Sequence, residues 1–161
     1  MLAYAASRST ESRPSSATPL YPNAFDNPTL ISNDGLQAAS LRGFVYAPDP
    51  GDFPNVNVGA LMSSNVSDSF EIPITVGTYG EVWIQCAASN DSTKGTFIVR
   101  IDGVIYNVTD CNNKYHGPNA QQLVHVASGL SAGQHTLELT SFRSASGSRQ
   151  NILFICGIAT A

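Results

Sequence analysis

The amino-acid sequence predicts an all-β protein, an antiparallel β-sandwich or jelly roll of about eight short strands behind an extended N-terminal arm. From residue 70 onward, apolar and polar residues alternate in short runs, and turn-forming residues separate these runs. Such alternation is typical of strands with one buried face, and no comparable stretch has the apolar spacing of an amphipathic helix. We therefore divide the chain into an arm, residues 1–33, and a jelly-roll domain, residues 34–161.

The hairpin signal is clearest in residues 97–108, FIVRIDGVIYNV. Asp102 and Gly103 stand between two runs rich in β-branched residues, and a two-residue Asp-Gly loop favours a type I′ turn because both residues tolerate positive φ. This turn predicts a register in which Val99 lies opposite Tyr106, so that one face of the hairpin is wholly apolar.

The remaining strands are predicted from the same alternation. They cover residues 41–46, 70–75, 82–86, 123–127, 135–140 and 152–158. Pro73 lies inside one of these runs and indicates an edge position, because proline cannot donate to a strand ladder. Three cysteines, Cys86, Cys111 and Cys156, cannot all pair within the chain, and we expect them to be buried free thiols.

The overall charge excludes one class of partner. Only 12% of residues are charged, the net charge is -4 and the pI is near 5.1. Such a chain has no basic field to hold a phosphate backbone, so we do not expect it to bind nucleic acid. The N-terminus lacks the continuous apolar region of a signal peptide, and no run is long enough to span a membrane. We expect a soluble protein made in a cytoplasm.

The arm differs in composition from the rest of the chain. It is rich in Ser, Thr and Pro, and its prolines prevent a continuous helix. Single apolar residues are spaced along it like anchors on another surface, which favours docking on a neighbouring subunit. The candidate anchors are Leu20, Tyr21, Phe25, Leu30 and Ile31.

Residues 129–133, GLSAG, match the G-x-S-x-G motif of serine hydrolases. A nucleophile elbow needs a strand before the serine and a helix after it, whereas a strand is predicted to follow Ser131. The usual order of nucleophile, acid and histidine is also missing, since His135 precedes Glu138. We interpret this segment as a turn between two strands and expect no enzyme activity.

Metal and cofactor sites are not predicted. The three histidines, His116, His125 and His135, match no zinc spacing. Calcium bound through an aspartate is an alternative with little support, because no Asp lies in a D-x-D-x-D loop.

Carbohydrate binding has a better physical basis. Sugar rings stack on flat aromatic faces, while amides and guanidinium groups bind the hydroxyls. Trp83 is out of phase with the apolar residues of its run, so it should project from the face opposite the core. We expect the arm or a neighbouring subunit to cover it, with glycan contact as the alternative. The other candidate contacts are Asn113, Tyr115, His116, Arg143 and Arg149.

The C-terminal part, residues 68–161, resembles the galactose-binding-domain-like jelly rolls, which include accessory domains beside SGNH-type esterases and in bacteriophage structural proteins. The resemblance is carried by FIVRIDGVIYNV, GLSAGQHTLELTSF and NILFICGI. It implies consecutive sandwich strands and specifies the fold rather than a ligand. It also accounts for GLSAG as a turn motif.

Two functional hypotheses follow. The first is a non-enzymatic virion protein, a capsid decoration (cement) or tail-associated subunit, that docks on other virion proteins and forms a homo-oligomer in particles assembled in a host cytoplasm. The second is a carbohydrate-binding module for a surface glycan. We expect no cofactor, nucleic acid or membrane partner in either case.

Overall fold

The structure is a computed structural model that describes residues 28–47, 59–88, 95–111, 120–142 and 153–161. Within these residues the chain forms eleven strands and one short 3₁₀ helix, Asn33–Ala38. The strands are β1 (Thr29–Ser32), β2 (Ser40–Arg42), β3 (Val45–Ala47), β4 (Ala60–Ser63), β5 (Ser69–Val76), β6 (Val82–Ala88), β7 (Thr96–Ile101), β8 (Val104–Asp110), β9 (Ala120–Ala127), β10 (Gly133–Phe142) and β11 (Leu153–Thr160).

These strands form two antiparallel sheets, which confirms the predicted all-β sandwich. The larger sheet has six strands, in the order β3-β4-β11-β6-β9 with β1 also paired to β11. The smaller sheet has five strands, in the order β2-β5-β10-β7-β8. The two faces that meet bury one continuous core, which draws side chains from both sheets. The strands β8 and β9 end the two sheets on the same side of the sandwich, where they contact each other.

One predicted strand, residues 41–46, is two strands in the structure. Gly43 has φ of +90°, a backbone conformation that suits glycine, and the chain changes sheets there. β2 pairs with β5 in the smaller sheet, and β3 pairs with β4 in the larger. Phe44 lies between them, buried with its ring edge-on to Phe70 at a centroid distance of 5.2 Å. The crossing therefore places an aromatic ring in the core.

The predicted edge position of Pro73 does not describe its strand, because β5 has neighbouring strands on both sides. At Pro73 itself, however, only one of these neighbours is paired. β5 runs between β2 and β10, but β2 pairs only with Ser69, Phe70 and Glu71. Among the described residues, Pro73 therefore has a strand partner only on β10, where it lies opposite Thr136. A missing backbone donor is tolerated at such a position.

The β7–β8 turn has the predicted conformation, but the predicted register is wrong. Asp102 and Gly103 have φ of 51° and 79°, as a type I′ turn requires. Beyond the turn, Val99 lies opposite Asn107 and not Tyr106, because a β-bulge adds one residue to β8. A turn determines only the pairs next to it, and the bulge resets every later pair.

The bulge also overturns the predicted apolar face of the hairpin on its β8 side. Asn107 faces the inside of the sandwich, where its Nδ2 donates to the backbone oxygen of His125 on β9 at 3.0 Å. Val108, which the predicted register places on the apolar face, now points outward with 58% of its surface exposed. The apolar face of β7 is buried as predicted. Because of the bulge, β8 buries fewer apolar side chains, and Asn107 forms a hydrogen bond that connects the two sheets.

Strand β11 is buried along its whole length. Successive side chains of a strand point to opposite faces, so both faces of β11 are covered. Its outward residues belong to two smaller clusters, one around Phe154 and Cys156 and one around Trp83 and Ala159.

Part of the predicted arm lies within this sandwich. Residues 29–32 form β1, which pairs with β11. Ile31 packs against the core of its own domain, whereas Leu30 is 60% exposed. The other predicted anchors, Leu20, Tyr21 and Phe25, lie outside the described residues, and the docking arm stays a prediction. No helix within the described ranges is long and apolar enough to cross a membrane.

Candidate functional site

A cluster of Asp102, Ser131 and His135 has the residue types of a catalytic triad. Asp102 lies in the β7–β8 turn, Ser131 in the turn before β10, and His135 near the start of β10. His135 Nδ1 lies 2.6 Å from Oδ2 of Asp102. His135 Nε2 lies 3.5 Å from Oγ of Ser131, but only 2.8 Å from the backbone oxygen of the same serine. The two turns meet because β7 and β10 are neighbours.

The electrostatics of this cluster stabilise a charged histidine. The hydrogen bond to Asp102, followed by that to the Ser131 carbonyl, raises the pKa of His135. The backbone N–H of Thr136 donates to Oδ1 of Asp102 at 2.9 Å, and this bond, together with His135, lowers the pKa of Asp102. Both ring nitrogens of His135 face acceptors, which is the arrangement that suits an imidazolium.

This geometry does not activate the serine. A general base needs an unprotonated nitrogen aimed at the hydroxyl, whereas Nε2 of His135 donates to the carbonyl of Ser131 instead. The cluster acts as a clamp that joins the β7–β8 turn to the start of β10. We call it the Asp102–His135 clamp.

Trp83 lies on the outward face of the larger sheet, as its phase predicts, but only 6% of it is exposed. Its ring lies 5.4 Å from that of His125, at an interplanar angle of 48°. His125 Nε2 in turn lies 2.5 Å from Oε2 of Glu81, which is buried. Trp83 packs with Ala159 and Ala161, so in the structure its ring is not a surface platform.

The outward face of the smaller sheet carries a network of polar side chains. Arg100 on β7 lies 3.5 Å from Oε1 of Glu138 on β10 and donates to Oγ1 of Thr140 at 3.3 Å. Thr140 also donates to Glu138 at 3.0 Å. Glu71 on β5 lies opposite Glu138 in the strand register. Arg100, Glu138 and Thr140 are partly exposed and hold one another in place, whereas Glu71 lies 3.8 Å from the guanidinium of Arg42.

Apolar side chains border this network. Phe142 follows Thr140 on the same face of β10 and is 49% exposed, and Ile105 continues the row beyond Arg100. We call this surface the polar face, formed by Glu71, Arg100, Glu138, Thr140 and Phe142. From β5 to β8 the row crosses three strand spacings, about 14 Å. That length offers room for more than one sugar ring.

The polar face was not recognised from the sequence. Its members alternate with core residues on three strands that are far apart in the chain, so only the strand order brings them together. The alternation itself was the one available signal, since it separates outward from inward positions. Of the predicted contacts, Asn113, Tyr115, His116, Arg143 and Arg149 lie outside the described residues.

The described part of the chain holds no group of three or more His, Cys, Asp or Glu side chains placed to bind a metal ion.

No protein-family model matches the sequence, and no curated protein matches it at a significant level. Solved structures do share the fold. A two-domain esterase active on acetylated mannans superposes with a TM-score of 0.69 at 14% identity, over 94% of this chain but 40% of the esterase. The chain thus matches less than half of that enzyme.

Two carbohydrate-binding modules superpose over nearly their whole length. The CBM36-1 domain of a multidomain xylanase from the hindgut metagenome of Trinervitermes trinervoides has a TM-score of 0.58 at 12% identity, over 84% of this chain and 98% of the module. A family 35 module from Clostridium thermocellum has a TM-score of 0.58 at 11% identity, over 84% and 99%. This chain therefore has the sandwich fold found in carbohydrate-binding modules and in a domain of a carbohydrate esterase.

Proposed function

We propose that this domain is a non-catalytic carbohydrate-binding module and that the polar face holds the glycan. The observation that carries this proposal is the bonded network of Arg100, Glu138 and Thr140 beside exposed Phe142, on a fold shared with carbohydrate-binding modules. The second sequence-based hypothesis, recognition of a surface glycan, is thus supported, although by a different surface from the one predicted around Trp83.

The chemistry of the polar face suits hydroxyl groups. The guanidinium of Arg100 presents several donors in a rigid plane, and the carboxylates of Glu71 and Glu138 are acceptors. Phe142 offers an exposed ring on which the apolar side of a sugar can stack. Because Arg100, Glu138 and Thr140 already bond one another, less conformational freedom is lost when the ligand binds.

The absence of catalysis is part of the proposal. In the Asp102–His135 clamp, His135 donates to a backbone carbonyl, so its ring offers no free nitrogen to take the proton of the Ser131 hydroxyl. We expect no ester hydrolysis by this chain.

Titration calorimetry with manno- and xylo-oligosaccharides, with and without acetyl groups, tests the proposal. We expect binding by the wild type and at least about tenfold weaker binding by Phe142→Ala and by Glu138→Gln. Tyr79→Ala is the matched control, because Tyr79 is a comparably exposed aromatic (41%) in the β5–β6 turn. Equal loss in all three variants, or no binding of any oligosaccharide by the wild type, would count against the polar face.

A second candidate function is subunit assembly, and strand β8, which ends the smaller sheet among the described strands, favours it. Val104, Ile105 and Val108 are all more than half exposed, and Asp110 is the one charged residue of the strand. Edge strands usually carry charges or proline that prevent pairing. We propose a second copy of this chain as the occupant, paired antiparallel about Asn107 so that the same strand meets itself. Assembly into a virion, the first sequence-based hypothesis, is one form of subunit assembly, and the structural neighbours named above do not support it.

Sedimentation analysis tests this candidate. We expect a dimer that Val108→Lys dissociates, whereas Leu123→Lys, at a comparably exposed position on β9 (52%), leaves it intact. A monomeric wild type at high protein concentration would exclude pairing through β8.

A further inference from the structure

Two buried cysteines lie in contact between the sheets. Cys86 lies on β6 of the larger sheet, Cys111 directly follows β8 of the smaller sheet, and their Sγ atoms are 3.7 Å apart. Both side chains are fully buried in the main core. Cys156 belongs to a separate cluster on the other face of the larger sheet. Of the three cysteines, the fold therefore brings only Cys86 and Cys111 into contact.

The two sulfur atoms are in van der Waals contact, a short movement away from bonding distance. Bonded sulfur atoms lie about 2.05 Å apart, so the two Sγ atoms have less than about 2 Å to close. The backbone N–H of Cys111 donates to the oxygen of Gly95 at 3.0 Å, and Cys86 lies opposite Ile155 on β11. Both backbones are thus already held on either side of the gap, and side-chain rotation with small shifts can close it.

We propose that Cys86 and Cys111 are a modification site at which an intramolecular disulfide joins the two sheets when the chain folds with a small-molecule disulfide such as oxidised glutathione. The thiolate of one cysteine attacks the glutathione disulfide and releases one glutathione thiolate. The second cysteine then attacks the protein sulfur of the mixed disulfide and releases the other. Glutathione disulfide is reduced to two thiols, which take up the two protons that the cysteines lose.

The step belongs to folding because the folded core closes the site. Neither sulfur is exposed in the native protein. Contact with Cys111 and burial both raise the pKa of Cys86, so the reactive thiolate is disfavoured once the sheets have closed. The same burial shields a disulfide from external reductants. The native protein should therefore keep the redox state in which it folded.

Refolding experiments test this inference. The reduced, denatured wild type is refolded in a mixture of oxidised and reduced glutathione, then denatured and treated with N-ethylmaleimide. We expect a mass lower by about 2 Da before labelling, one labelled thiol at Cys156, and a proteolytic fragment that links Cys86 to Cys111. The oxidised protein should melt on the order of 10 °C above the reduced protein. Native reduced protein in the same buffer should remain unchanged over the same time.

Cysteine variants and mapping of the cross-linked fragments show which cysteines form the disulfide. Cys111→Ala should abolish the cross-link, whereas Cys156→Ala, the matched control, should retain it with no labelled thiol. Three labelled thiols after refolding, glutathione adducts alone, or a cross-link that includes Cys156 would overturn the inference. The wild-type mapping remains decisive if a core variant does not fold. A cross-link without a rise in melting temperature would overturn the stabilising role.

Discussion

Asp102 and His135, 33 residues apart in the chain, are joined by a hydrogen bond of 2.6 Å between Oδ2 and Nδ1. The bond connects the β7–β8 turn to β10, and it uses residue types that in another geometry would form a triad. Because His135 donates from both ring nitrogens, the cluster is a charged clamp. Its pH dependence is therefore its clearest signature.

We expect the clamp to stabilise the fold most between about pH 4 and pH 6.5. The pKa of His135 is raised, so its contribution is complete below the unfolded-state pKa and is lost as the pH rises through the folded-state value. The pKa of Asp102 is lowered, so its contribution is present above the unfolded-state pKa and is lost as the pH falls through the folded-state value.

Urea unfolding of the wild type and Asp102→Asn at about pH 5, 7 and 9 checks this expectation. The difference in unfolding free energy should be largest at the lowest of these values and should shrink as His135 loses its proton. Asn tolerates the positive φ at this position, so the turn is kept. Glu71→Gln removes a carboxylate of similar exposure whose ion-pair partner is an arginine, Arg42, and not a histidine, so it serves as the control. A constant difference across the series would refute the charged clamp.

At Gly103, the effect of a substitution on stability depends on backbone conformation and not on side-chain contacts. Its φ is 79°, and an added Cβ would meet no atom within 4 Å. We therefore expect Gly103→Ala to lower the unfolding free energy by about 1–2 kcal/mol through backbone strain alone. Gly103→Asn should cost less because Asn adopts this conformation more readily. Chemical denaturation measures both, and equal losses would argue against a type I′ turn.

Two leucines that differ in solvent exposure test the described packing. Leu139 is fully buried on β10, and Leu123 on β9 is 52% exposed. Leu139→Ala should lower the unfolding free energy by about 2–5 kcal/mol, because it removes core contacts and leaves a cavity. Leu123→Ala should change it by no more than about 0.5 kcal/mol. Similar losses from both variants would contradict the described packing.

A Trp83 variant distinguishes the glycan contact predicted from the sequence, Trp83 itself, from the polar face. Because only 6% of Trp83 is exposed, we expect Trp83→Phe to lower the melting temperature while leaving oligosaccharide affinity within about twofold of the wild type. Calorimetry on the folded variant measures the affinity. A loss of binding at unchanged stability would instead assign the glycan to Trp83.

The sequence by itself determined the fold class and the individual strands from β5 to β11. Period-two alternation reports which side of a strand is buried, and the Asp102–Gly103 pair specifies a turn with positive φ at both positions. These are local properties that need no knowledge of neighbouring strands. The same local logic identified GLSAG as a turn rather than a nucleophile elbow.

Only the tertiary structure decided which residues meet. The bulge in β8 arises where Asn107 reaches the backbone of β9, a contact between sheets that no hairpin rule contains. Glu138 and Arg100 become neighbours because β10 lies beside β7, and Cys86 meets Cys111 because the sheets stack. Strand order and sheet stacking are set by burial summed over the whole chain, so the polar face and the thiol pair have no signature in any single segment.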